Sequence, residues 1–262
     1  MFSFQKRSAI VSSLLLTYYH CGPKTGTKGT FLFLHGWGSN STLWFKSVAG
    51  LAEKGYSLYC LDLPGFGESQ NPKEPFFLQD YSNTVMGFIK KLGLKNIILV
   101  GHSFGGKTAI KLATENSEFL KSIILVDASG LPHKSTLTDI KIMVAKVMKP
   151  AFSLPFMRPL KDRLVDTFAS EDYTTNPALK QTFINIVNEN VLSLLEQIKK
   201  PALIIWGEDD DNTYTPNTDA SILHHGIAGS KLVTIPNAGH YSFLDQPELF
   251  LKHVSQFLSR LK

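Results

Sequence analysis

Six short, almost unbroken apolar runs punctuate this chain, and each leads into a stretch with helical periodicity. The runs fall at 30–34, 56–61, 96–100, 122–126, 201–206 and 231–235. Runs that are apolar throughout, without alternation between greasy and polar positions, predict strands covered on both faces, as in a parallel sheet. Helical spacing follows at 41–54, 79–92, 104–115, 217–226 and 246–261. Strand–helix alternation of this kind predicts right-handed crossovers and a sheet sandwiched between helices. The rhythm breaks once, from about Leu131 to Glu196, where only helical patterns occur between Pro150, Pro155 and Pro159. This predicts an α/β core made of 1–130 and 198–262, with a helical cap, 131–197, inserted after the sixth strand. Ligands of open α/β sheets bind beyond the carboxyl ends of the strands, so a cap there would cover the site.

Composition narrows the classes further. With 262 residues, 43% hydrophobic and 19% charged, the chain can bury a deep core and is not a disordered segment. The formal charge of +5 is spread without a block of like sign, so no nucleic-acid partner is expected. No stretch approaches the ~20 apolar residues of a membrane helix. The apolar segment 9–16 behind Lys6 and Arg7 is short, interrupted by Ser12 and Ser13, and lacks a small-residue cleavage site, so a strand pair is expected there. Cys21 and Cys60 are too few for a disulfide framework. A cytoplasmic protein is expected, with its oligomeric state, monomer or homodimer, left open.

The chemistry concentrates at a turn. In Asn96-Ile-Ile-Leu-Val-Gly-His-Ser-Phe-Gly-Gly106 a strand runs into Gly101-His-Ser103-Phe-Gly105, and a helical pattern runs out. Gly-x-Ser-x-Gly alone arises by chance in about one chain in ten of this length. Between a strand and a helix, however, it is the setting of a serine on a strained elbow, with a helix N-terminus beneath it. A serine hydroxyl needs a base to take its proton. Of eight histidines, His240 alone follows a core strand in a Gly-His loop. His102 neighbours the serine but points elsewhere in an elbow, His35 orders its own loop, and His224 and His225 are adjacent on a helix and cannot converge on a metal. The partner acid is open among Asp209, Asp210, Asp211 and Asp127; the interval from Gly207 favours Asp210. Asp209–Asn212 lacks the spacing and glycine of a calcium loop, and no dinucleotide or phosphate-loop fingerprint is present, so neither metal nor cofactor is expected.

These motifs together resemble the α/β-hydrolase fold, over nearly the whole chain from about residue 15. Besides the elbow, Phe33-Leu-His35-Gly36-Trp37-Gly38 is similar to the family's oxyanion loop and Asp62-Leu-Pro-Gly65-Phe-Gly67-Glu-Ser69 to its glycine turn. Trp206-Gly207-Glu-Asp-Asp210 and Asn237-Ala-Gly239-His240 are similar to its acid and histidine loops, and Ser103, Asp210, His240 follow the family's chain order. The resemblance implies oxyanion donors at the backbone N–H groups of Trp37 and Phe104. It also implies a substrate pocket touched by Trp37, Phe104, Tyr241 and the cap residues Phe152, Phe156 and Met157. Capped microbial esterases acting on small-molecule carboxylic esters are the group it most resembles. Serine hydrolases that cleave carbon–carbon bonds of ring-fission products are the alternative; they usually carry a tryptophan soon after the histidine, where this chain has Tyr241-Ser-Phe-Leu. A ligand receptor with little turnover is the alternative of another class.

Overall fold

The structure, a computed structural model, describes residues 2–23, 27–115, 118–132, 177–210 and 215–261. Eight strands make one sheet: β1 (Gln5–Val11), β2 (Leu14–Cys21), β3 (Thr30–Leu34), β4 (Ser57–Leu61), β5 (Ile97–His102), β6 (Leu120–Val126), β7 (Ala202–Gly207) and β8 (Lys231–Ile235). Their spatial order is β1-β2-β4-β3-β5-β6-β7-β8. β1 and β2 form the strand pair expected at the N-terminus, turned by Ser12 and Ser13 at positive φ. β2 also runs antiparallel to β4, and every other neighbour is parallel. Among the described residues no helix is long and apolar enough to cross a membrane.

The apolar strands divide their side chains between two cores, one per face. Leu32, Leu34, Leu99, Leu125 and Ile204 point to one side, where they meet α2 (Leu78–Leu92), α3 (Phe104–Ala113) and α5 (Asn217–Gly226). Phe31, Phe33, Val100, Ile124 and Ile205 point to the other, against α1 (Phe45–Glu53), α6 (Ser242–Asp245) and α7 (Pro247–Leu258). Period-two alternation of the backbone, applied to strands that are apolar at every position, produces this two-sided packing.

Local chemistry sets where elements begin and end. The helix expected from 41 starts as a 3-10 turn, Ser41–Trp44, capped by the Asn40 side chain accepting from the Thr42 N–H, and becomes α-helical at Phe45. The C-terminal pattern splits into α6 and α7, with Pro247 in the first turn of α7, where its missing N–H costs nothing. β5 extends two residues beyond its apolar run, because Gly101 and His102 pair with Leu125 and Val126 of β6.

Of the stretch read as a cap, 177–197 is described. It contains α4 (Lys180–Asn188) and the 3-10 helix Leu192–Gln197, and it buries Leu179, Ile186, Val191 and Leu195 in the core that also holds α2 and α3. The Val191 N–H donates to Gly130 O (2.9 Å). Lys107 of α3, 4% exposed, reaches the end of α4 and donates from Nζ to Ile186 O (2.5 Å) and Glu189 O (2.6 Å). Burial lowers its pKa to about 8. The cap residues Phe152, Phe156 and Met157 lie outside the described residues.

Candidate active site

β5 delivers the chain directly to Ser103, whose φ of 50° and ψ of −116° lie where a residue with a side chain is strained. The strain is held on both sides: the Ser103 N–H donates to Val126 O (3.1 Å), and Ser103 O accepts from the Ser129 N–H (3.1 Å). The turn demands glycine for space. A Cβ on Gly101 would lie 2.3 Å from Gly105 O, and one on Gly105 would lie 2.4 Å from Leu34 O. Phe104 opens α3, so its N–H has no partner within the helix and lies at the positive end of the helix dipole.

The acid and histidine loops meet beside this elbow. His240 Nδ1 lies 2.9 Å from Asp210 Oδ2, and Asp210 is 2% exposed. Thr215, fully buried just ahead of α5, donates its hydroxyl to the same Oδ2 (3.2 Å) and lies 3.1 Å from His240 Nδ1. A carboxylate facing Nδ1 favours the tautomer with hydrogen there, leaving Nε2 as the basic nitrogen. The other described carboxylates are placed elsewhere. Asp209 is exposed, its N–H donating to Ala238 O (2.9 Å). Asp127, fully buried, accepts the Gly207 N–H at Oδ1 (2.7 Å) and the Ser242 hydroxyl at Oδ2 (2.6 Å). Burial pushes the Asp127 pKa up to about 7, against the pull of those donors. Asp211 lies outside the described residues.

No hydrogen bond joins Ser103 to His240 among the described residues. The two loops meet through His102 instead, whose Nε2 is 2.8 Å from the backbone O of His240 and therefore carries the hydrogen. Its Nδ1 faces Gly36 without a partner among the described residues. Burial, with the charge of His240 nearby, lowers the His102 pKa to about 3, so the ring is neutral. Neither Thr215 nor this use of His102 was visible in the motifs. A threonine just before a helix is ordinarily a cap, and only the folded chain shows what its hydroxyl faces.

The loop of Gly36 and Trp37 is anchored from below. The Leu63 N–H donates to His35 Nε2 (3.0 Å) while His35 Nδ1 meets Gly36 O (2.7 Å), which requires a neutral ring, and burial lowers its pKa accordingly. Asp62 accepts the Ser41 N–H (2.8 Å) and the Glu68 N–H (2.9 Å), tying the loop after β3 to the turn after β4. Trp37 is partly buried, its ring 4.8 Å from Phe66, 5.3 Å from Phe104 and 5.1 Å from Phe183 of α4. Phe104 is 2% exposed, packed edge-on against Tyr81, so its ring belongs to the core lining behind Trp37. Beside Trp37 a cavity of about 180 Å³ is bounded by Gly38, Asn40, Gly65, Phe66 and Gly67. Tyr241 is 41% exposed, its ring 4.9 Å from His102. No sequence motif marks Phe183, whose helical spacing reads as ordinary packing.

Sheet order, elbow and paired loops define a hydrolase architecture, and comparison with known proteins agrees. Residues 31–253 match the model of the alpha/beta hydrolase family, and the chain belongs to that family. An uncharacterised hydrolase of Bacillus subtilis, YugF, is 28% identical over 249 residues, covering 87% of this chain and 89% of that protein. A 2-hydroxy-6-oxononadienedioate/2-hydroxy-6-oxononatrienedioate hydrolase of a Pseudomonas species is 24% identical over 251 residues, covering 87% of each. The esterase EaEST of Exiguobacterium antarcticum superimposes with a TM-score of 0.73 at 22% identity, over 97% of this chain and all of that one. The protein is thus a member of a hydrolase family, similar in sequence to a protein named as an oxononadienedioate/oxononatrienedioate hydrolase and in fold to one named as an esterase.

Proposed function

We propose that this hydrolase cleaves carboxylic esters of small or medium acyl groups through an acyl-enzyme on Ser103. The observation that supports this reading is the 2.9 Å contact of His240 with buried Asp210, on loops that adjoin the strained elbow of Ser103. In the first step Ser103 Oγ attacks the ester carbonyl carbon while its proton passes to His240 Nε2. Hydrogen bonds of this kind are often long or unformed without substrate and tighten in the complex. The carbonyl oxygen becomes an oxyanion, held by the N–H groups of Trp37 and Phe104; one such donor is worth about 2.7–4 kcal/mol in the transition state. Collapse of the tetrahedral adduct breaks the ester C–O bond, and the leaving alcohol takes the proton from His240. Water, deprotonated by His240, then attacks the acyl carbonyl and frees the acid and Ser103. Asp210 remains ionised throughout, fixing the imidazole tautomer and stabilising the imidazolium.

A series of p-nitrophenyl esters of increasing acyl length tests this. Continuous turnover is expected, and Ser103→Ala should lower kcat by roughly 10⁶, as in other triads, with the fold intact. A Ser103→Ala variant with near-full activity would remove the nucleophile from this reading. Including a ring-fission dienoate separates the reactions: preference for it would make carbon–carbon cleavage the activity. A single stoichiometric burst without further release would point to a receptor.

A further inference from the structure

One carboxylate that the reaction leaves unused sits where three loops of the site converge. Asp127 follows β6, fully buried, with φ of 45° in the left-handed region that side chains avoid. Its own N–H donates to Ile205 O of β7 (3.0 Å). Oδ1 accepts the Gly207 N–H (2.7 Å), at the head of the loop that carries Asp210. Oδ2 accepts both the hydroxyl (2.6 Å) and the N–H (3.3 Å) of Ser242, two residues beyond His240. The flanking backbone grips the elbow, since Val126 O and the Ser129 N–H both bond to Ser103. A buried carboxylate carries a desolvation cost that packing alone would not require, and apolar residues of similar volume are commonly at least as stabilising. Here the group is planar and rigid, and each oxygen holds a different loop.

We propose that Asp127 is a positioning residue: it fixes the spacing of the acid loop and the histidine loop so that His240 meets Asp210, with both in register with Ser103. The inference rests on the reaction proposed above. Asp127 touches neither substrate nor the reacting atoms; it acts through Gly207 and Ser242. Misplacing a catalytic group by about 1 Å can lower a rate about 10²-fold while leaving substrate affinity alone.

The test uses the full chain with Asp127→Asn, Ser242→Ala and the double variant, assayed on a p-nitrophenyl ester. Asp127→Asn is expected to lower kcat by about 10²-fold with KM within about twofold, because only the alignment of the base changes. The double variant should be little slower than Asp127→Asn alone, since both substitutions break one connection. The downfield proton resonance of His240 Nδ1 facing Asp210 should broaden in Asp127→Asn, while the dispersed amide spectrum of the folded protein persists. Wild-type kcat in Asp127→Asn would overturn the proposal, as would multiplicative effects in the double variant. So would a fall in kcat that merely tracks the folded fraction, or an unchanged His240 resonance. Should the wild-type protein fail to turn over esters while that resonance responds as stated, the reaction is wrong and the clamp stands.

Discussion

His102 shows how much of this site depends on a neutral imidazole held out of water. Its ordinary pKa of 6.5 falls to about 3 in the fold, so between those values the unfolded chain binds a proton that the native protein refuses. Stability contributed by the neutral ring is therefore intact above pH 6.5 and is lost as pH falls below it. The loss should be about 1 kcal/mol for the first unit of acidification. Asp127 works with the opposite sign: its raised pKa means that the native state takes up a proton first, which offsets part of the loss between about pH 7 and pH 4. Comparing urea unfolding of wild type and His102→Asn at neutral and mildly acid pH isolates the imidazole. The wild type should lose more stability on acidification, and equal slopes would show that His102 carries no such penalty. At this scale the motifs reveal a residue when its type and its neighbours are both unusual, as with Ser103 between Gly101 and Gly105. They are silent on Thr215, and they offer Asp127 only as a candidate acid, because the bonds of Asp127 to Gly207 and Ser242 are set by folding alone.

The elements were legible where hydrophobic pattern and covalent geometry agree. All six apolar runs became strands, and the five helical patterns of the core became helices, since burial on both faces of the sheet leaves few alternatives. Ends were less legible, because hydrogen bonds to neighbouring strands or a capping Asn40 decide them rather than propensity. The elbow is the element in which geometry leaves least room. Gly105→Ala would drive a methyl group toward Leu34 O and His35 O, both main-chain atoms of β3 and its outgoing loop, which cannot swing aside. Overpacking of this kind costs about 1–3 kcal/mol. Denaturant unfolding of Gly105→Ala should show that loss, together with reduced ester turnover, because the shifted backbone belongs to the same turn as Ser103. A variant as stable and active as wild type would mean that the turn relaxes more freely than its contacts imply.

For the whole molecule, a mostly parallel sheet covered by helices on both faces followed from pattern, whereas pattern does not report where an inserted stretch packs. Residues 177–197 read as cap on the strength of missing strands, yet Leu179, Ile186, Val191 and Leu195 are packed into the main core. Helical periodicity reports that a face is buried without saying against what. The boundary between the core and whatever covers it is consequently a matter of tertiary contacts, and Lys107 is one of the contacts that draws it. By bonding two carbonyls at the end of α4, this lysine fastens that helix to α3, which begins immediately after Ser103. Lys107→Met should speed amide hydrogen exchange in 186–191 beyond any change in global stability, and equal protection would show the tether to be idle. If Phe104 supplies the oxyanion amide as proposed, a ligand that nudges α4, for instance by leaning on Phe183, has a mechanical route to it through Lys107.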